Sequence, residues 1–115
     1  MGNVMIIQVV TVTGTREEAD RIASVLVERR LAACVQVGGP ITSTYRWKGK
    51  VETAEEWCCS IKTLEGNYRA VEDAIRELHS YELPEIQAFP VMCALPAFAE
   101  WIMASVSLDT SRGGK

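Results

Sequence analysis

The first apolar run, Val4 to Thr13, is dense in Val, Ile and Thr and stops at Gly14. A run of this kind reads as a strand buried on both faces. Period two puts Ile6, Val10 and Val12 on one side and Met5, Ile7 and Val9 on the other. The pattern then changes. Thr15-Arg16-Glu17-Glu18 has the spacing of a capping box, in which the Thr and Glu side chains each satisfy a free backbone N–H at a helix start. Ala19, Ile22, Ala23 and Leu26 follow at helical spacing among charged neighbours, so the first helix is expected to end near Arg30.

Ala32 to Val37 reads as a second strand, broken at Gly38-Gly39-Pro40 by a bulge or bend and resumed over Ile41 to Lys48. Gly49 marks a tight hairpin turn into a third strand that runs to about Thr63. Tyr68, Val71, Ile75 and Leu78 mark a second helix ending near His79, and Pro84 blocks its continuation. Glu85 to Leu95 is expected to form a fourth strand, and Pro96 opens a short helix carrying Phe98, Trp101 and Ile102. The chain is thus expected to hold one domain over residues 1–106, followed by a flexible C-terminal tail over 107–115.

The order β-α-β-β-α-β plus a short C-terminal helix is that of an α/β (α+β) ferredoxin-like fold, since right-handed crossovers leave few ways to close one sheet. Both long helices then cover one face. The apolar second face of the first strand needs another cover, and a second subunit is the simplest one.

Composition bounds the function. The 115 residues are 48% apolar and 23% charged, ordinary for a globular domain. Twelve Lys and Arg stand against fifteen Asp and Glu, with no long run of either sign, so neither nucleic acid nor an anionic membrane is an expected partner. The N-terminus lacks a cationic segment and the apolar stretch behind it is too short for a bilayer, which makes the cytoplasm the expected compartment. Cys34, Cys58, Cys59 and Cys93 form no Cys-x-x-Cys pair and are expected to be thiols, mostly buried.

Four segments carry a family resemblance: Leu31-Ala32-Ala33-Cys34-Val35, Tyr45 to Glu52, Ile61-Lys62-Thr63 and His79 to Ile86. Together with their spacing they make the chain resemble the CutA family of divalent-cation tolerance proteins, from Val4 to about Val106. The resemblance implies a ferredoxin-like subunit in a homotrimer whose hairpin strands pair across subunits, similar to PII signalling proteins. It also implies a role in tolerance of copper and other divalent cations. In metal-binding members a first-strand cysteine has been associated with the metal, and Thr11 stands at that position here. The family's His-Pro-Tyr loop motif reads His79-Ser80-Tyr81, and Leu78 replaces a second His found in some members. His79 is therefore the candidate metal ligand, with Glu82 as a carboxylate to complete a site. One imidazole with acidic groups implies weak binding of copper or another divalent cation and no obligatory cofactor. The plainer reading of His79 is a helix C-terminal His interacting with the macrodipole.

Period two on the third strand puts Trp57, Cys59 and Ile61 toward the helices and Glu52, Glu56, Cys58, Ser60 and Lys62 on the other face. Cys58 and Cys59 point to opposite sides and cannot jointly grip one ion. Glu56 and Lys62 either line a polar cleft or form an ion-pair network between subunits. Tyr45 and Trp47 share a face beside the hairpin turn, where aromatics anchor subunit contacts. An interface cleft is thus expected from Trp47, Glu56, Cys58, Lys62, Tyr81 and Glu85.

Other classes fit poorly. A metal chaperone of this topology needs Cys-x-x-Cys where Thr13-Gly14-Thr15-Arg16 stands, and an RNA-recognition domain needs aromatics where Cys58, Cys59 and Ser60 stand. Val35 to Gly39 only superficially echoes an acylphosphatase anion loop, and no Ser-His-Asp or Cys-His set accompanies the single His. The expected function is a non-enzymatic trimeric metal-binding or metal-response module. The alternative is a PII-like regulatory module binding a small anion or metabolite at subunit interfaces, supported by Lys62, Arg46, Lys48 and Lys50. The sequence names no partner protein.

Overall fold

The computed structural model describes residues 5–107. Its elements run β1 (Ile6–Thr13), α1 (Arg16–Glu28), β2 (Cys34–Trp47), β3 (Lys50–Leu64), a 3-10 turn (Glu65–Asn67), α2 (Tyr68–Leu78), β4 (Ile86–Pro90) and α3 (Pro96–Ser105). The four strands form one antiparallel sheet in the order β2-β3-β1-β4, the ferredoxin-like arrangement expected from the element order.

Each boundary has a local cause. Thr15 caps α1 by accepting from the Glu18 N–H at 3.2 Å. The reciprocal half of the expected capping box is absent from the described hydrogen bonds: the Glu18 carboxylate accepts instead from Ser80 N and Ser80 Oγ, both at 2.8 Å. A short-range motif is thereby diverted to a tertiary contact. The chain leaves α1 through Arg30 at φ 60°. The β2–β3 turn has positive φ at both Lys48 (50°) and Gly49 (81°), the combination that matches the twist of a two-residue hairpin.

The core lies between the sheet and its two long helices. Ile7, Val9, Cys59 and Ile61 meet Ala19, Ile22 and Leu26 of α1 and Val71, Ala74 and Ile75 of α2. The residues of β1 on the other face split into two environments. Ile6 joins Leu64, Ala33, Ile102 and Val106 in a smaller cluster under α3, so one corner of that face is covered from within the chain. Val10 and Val12 are only half-buried, with no helix over them. Arg30 ties α3 down by donating to Ala104 O at 3.1 Å and to Ser107 Oγ at 3.2 Å.

Two expectations need correction. The fourth strand is five residues rather than eleven. After Pro90, which has no N–H to donate, Val91 makes one more bond to Ile6 O at 2.9 Å and the chain departs for α3. Nor are the thiols mostly buried: Cys59 is, Cys34 and Cys58 are half-buried and Cys93 is exposed, all four unbridged. Of the expected tail, Ser107 donates its N–H to Arg30 O at 2.9 Å, and residues 108–115 lie outside the described residues.

Candidate functional site

A single register shift decides what the hairpin presents. Gly38 pairs with Cys58, whereas Ile41 pairs with Glu56, so β2 carries one extra residue there. An extra residue exchanges the faces of everything beyond it. Before the bulge, Val35 and Val37 point to the helices with their partners Ile61 and Cys59. Beyond it, Ile41, Ser43, Tyr45 and Trp47 share the face of Glu56 and Val12.

On that face a cleft of about 660 Å³ opens within one chain. One wall is the hairpin from Ser43 to Trp47, and the floor holds Val12 and Glu56. The opposite wall is the loop after α2, with Tyr81, Glu82, Leu83 and Glu85. Glu56 is 5% exposed and accepts a hydrogen bond from Tyr81 Oη at 2.7 Å. Burial, and next the Glu56 carboxylate as acceptor, holds the Tyr81 phenol above its usual range, which keeps it a donor. Gly14 makes room for this ring: a Cβ there would lie 3.1 Å from Tyr81 Oη.

His79 stands behind this wall rather than in it. Its side chain is fully buried, Nε2 lies 2.7 Å from Val12 O, and Nδ1 lies 3.1 Å from the Tyr81 N–H. A carbonyl only accepts, so Nε2 carries the proton and Nδ1 accepts from Tyr81. Glu18 Oε2 is 3.3 Å from the same Nδ1, and the Tyr81 ring packs at 4.9 Å between centroids. Both ring nitrogens are therefore committed to holding the loop against β1, and the one lone pair, on Nδ1, is not free for a metal while those bonds stand. Glu82 is exposed on the cleft wall. Among the described residues no group of three or more His, Cys, Asp or Glu stands close enough to hold an ion.

The expected cleft residues thus divide. Trp47, Glu56, Tyr81 and Glu85 line one cleft together with Glu82. Cys58 and Lys62 do not: Cys58 faces the open sheet opposite Val12, and Lys62 Nζ donates to Gln36 Oε1 at 2.8 Å. Neither Glu56 nor Lys62 finds an ionic partner among the described residues. Sequence reasoning left Ser43, Thr44, Tyr45 and Leu83 out of the cleft, and placed Val12 on a bare face without foreseeing the loop beside it. Thr11, at the position for which the resemblance implied a metal-associated cysteine, is fully buried on the helix side, its hydroxyl without a partner among the described residues.

Comparison with known proteins completes the picture. The family model for the CutA1 divalent ion tolerance protein matches residues 7–105. This chain belongs to the CutA1 family. The divalent-cation tolerance protein CutA of Archaeoglobus fulgidus is 42% identical over 90 residues, covering 78% of this chain and 87% of that protein. The protein CutA of Mus musculus is 42% identical over 84 residues, covering 73% of this chain but 48% of its own length, so the chain spans about half of this longer relative. A solved structure described as the periplasmic divalent cation tolerance protein CutA from Archaeoglobus fulgidus superposes with a TM-score of 0.87 at 38% identity, covering 90% of this chain and all of that one. That relative is described as periplasmic, so membership of the family does not fix the cytoplasm as the site of action. No helix among the described residues is long and apolar enough to cross a membrane.

Proposed function

We propose that this chain is a non-enzymatic divalent-cation response module that works as a homotrimer. The observation that carries the reading is the bare hairpin arm, where Ile41, Tyr45, Trp47 and Val51 are 40%, 42%, 37% and 65% exposed. Apolar and aromatic side chains on a two-stranded arm need a neighbour, because such a hairpin is marginal alone and a bare apolar patch is a contact surface. The half-covered sheet face around Val10, beside the cleft, supplies a matching surface on each subunit. Light scattering tests it: the reading requires a mass near three times 12.7 kDa, and a monomer at micromolar concentration removes it.

Copper or another divalent ion binds weakly in this reading, and at carboxylates such as Glu82 rather than at the committed nitrogens of His79. Copper titration of the unmodified protein and of His79→Ala checks this. Tight binding abolished by the substitution would put the imidazole back among the ligands. A regulatory module holding a small metabolite is the second reading, favoured by the cleft itself. Its anionic form fits less well, since Glu56, Glu82 and Glu85 face Arg46 alone as a counter-charge in the lining.

A further inference from the structure

Among the described residues Glu56 is the buried charged side chain. Its side chain is 5% exposed, yet among the described residues its one hydrogen-bond partner is a phenol and no Lys or Arg pairs with it. A carboxylate removed from water is costly unless cationic donors replace its hydration. Tyr81 Oη satisfies one oxygen. The second accepts no hydrogen bond among the described residues, and the open space that Glu56 borders is the cleft.

The surroundings narrow what belongs there. Glu82 and Glu85 add negative charge, while Arg46 is the one cation of the lining. The carboxylates do not converge closely enough to chelate an ion. Tyr45 and Trp47 supply apolar and π surface on the wall opposite the acidic loop. The volume of about 660 Å³ is that of a small-molecule site. We propose that this cleft binds an organic cation, with a protonated amine on the free oxygen of Glu56 and an apolar or aromatic body against Tyr45 and Trp47. An ammonium brings three donors to an acceptor that lacks one, and aromatic faces attract its charge. The site is independent of metal binding, so a failed copper titration leaves it standing.

A Lys or Arg of a second copy has the same chemistry, and the test separates the two sources. Calorimetry on the full chain in its native assembly compares 2-phenylethylamine with 3-phenylpropionate, which share a body and differ in charge. The amine is expected to bind and the carboxylate to fail. Glu56→Gln, which keeps the shape and an acceptor for Tyr81, is expected to weaken the amine at least about tenfold, the effect of losing one charge-assisted hydrogen bond. Equal binding of the two probes, or an amine affinity unchanged in Glu56→Gln, overturns the proposal. So does a wild type that takes up no amine while Glu56→Gln lowers the assembly mass, since the cation is then the neighbour's. If Glu56→Gln folds poorly, the indole N–H resonance of Trp47 in the unmodified protein decides: it shifts on adding the amine, and no shift refutes the site.

Discussion

The β2–β3 hairpin passes through two environments without changing its secondary structure. In its inner half, Val35–Ile61 and Val37–Cys59 are paired under the helices, and Ile61 and Cys59 are fully buried. In its outer half, Tyr45–Glu52 and Arg46–Val51 pair with the same ladder, yet Tyr45 is 42% and Val51 65% exposed. The ladder continues through both halves, so its hydrogen bonds do not account for the difference in burial. The inner half is held by packing within the chain. The outer half keeps its ladder and turn but has no packing partner of its own, and this is why assembly and ligand binding are assigned to it.

The comparison breaks most visibly at its inner end. Ile61→Ala is expected to destabilise the fold by roughly 3 kcal/mol, through lost burial and the cavity left under α1 and α2. Urea unfolding of the oligomer at fixed concentration measures it, and a loss no greater than that of Val51→Ala would erase the distinction between the halves.

Alkaline pH attacks the same inner half. Burial, and next the neighbouring Cys58, pushes the Cys59 thiol from an ordinary 9.0 up to about 12. Between these values the unfolded chain releases the proton and the folded chain keeps it, so the unfolded state binds fewer protons and stability falls as pH rises. The contribution lost by about pH 10.5 is about 2 kcal/mol. Melting of wild type and Cys59→Ala across pH 8–10.5 checks the sign: the variant should lose less with rising pH, whatever its starting stability.

Trp47→Ala probes the outer half. It is expected to weaken the assembly by about 1.5 kcal/mol, as truncation of an interfacial aromatic does, and to leave the subunit's secondary structure intact. Sedimentation across a dilution series reads the shift, and an unchanged association constant would show the arm to be unpartnered.

The smallest effect has the opposite sign. Thr11→Val replaces a fully buried hydroxyl that has no partner among the described residues with a methyl group of the same shape, and is expected to stabilise by about 1 kcal/mol. A loss of stability on thermal melting would mean that the hydroxyl is satisfied by bound water.

The element order, the helix stripes and the turn at Lys48-Gly49 were legible in the chain, because each rests on interactions within a few residues. So was the family, whose segments Tyr45 to Glu52 and His79 to Ile86 contribute most of the cleft. Cys58 and Lys62, expected beside Glu56 at an interface between subunits, lie outside this cleft of the single chain, because period two groups residues by face but not by position along it. Glu18 illustrates the other limit. Its spacing from Thr15 fits a capping box, but Ser80, 62 residues away, supplies better placed donors.

By itself, then, the sequence determined which residues are strand and helix and which side of β1 and β3 each one takes, since periodicity is a property of the local backbone. The tertiary structure decided where those sides lead. The single extra residue between Gly38 and Ile41 turned Tyr45 and Trp47 onto the face of Glu56. The loop behind His79 closed the cleft around them through bonds to Val12, Glu18 and Glu56. Such contacts join segments far apart in the chain, and their geometry exists only once the sheet has brought those segments together.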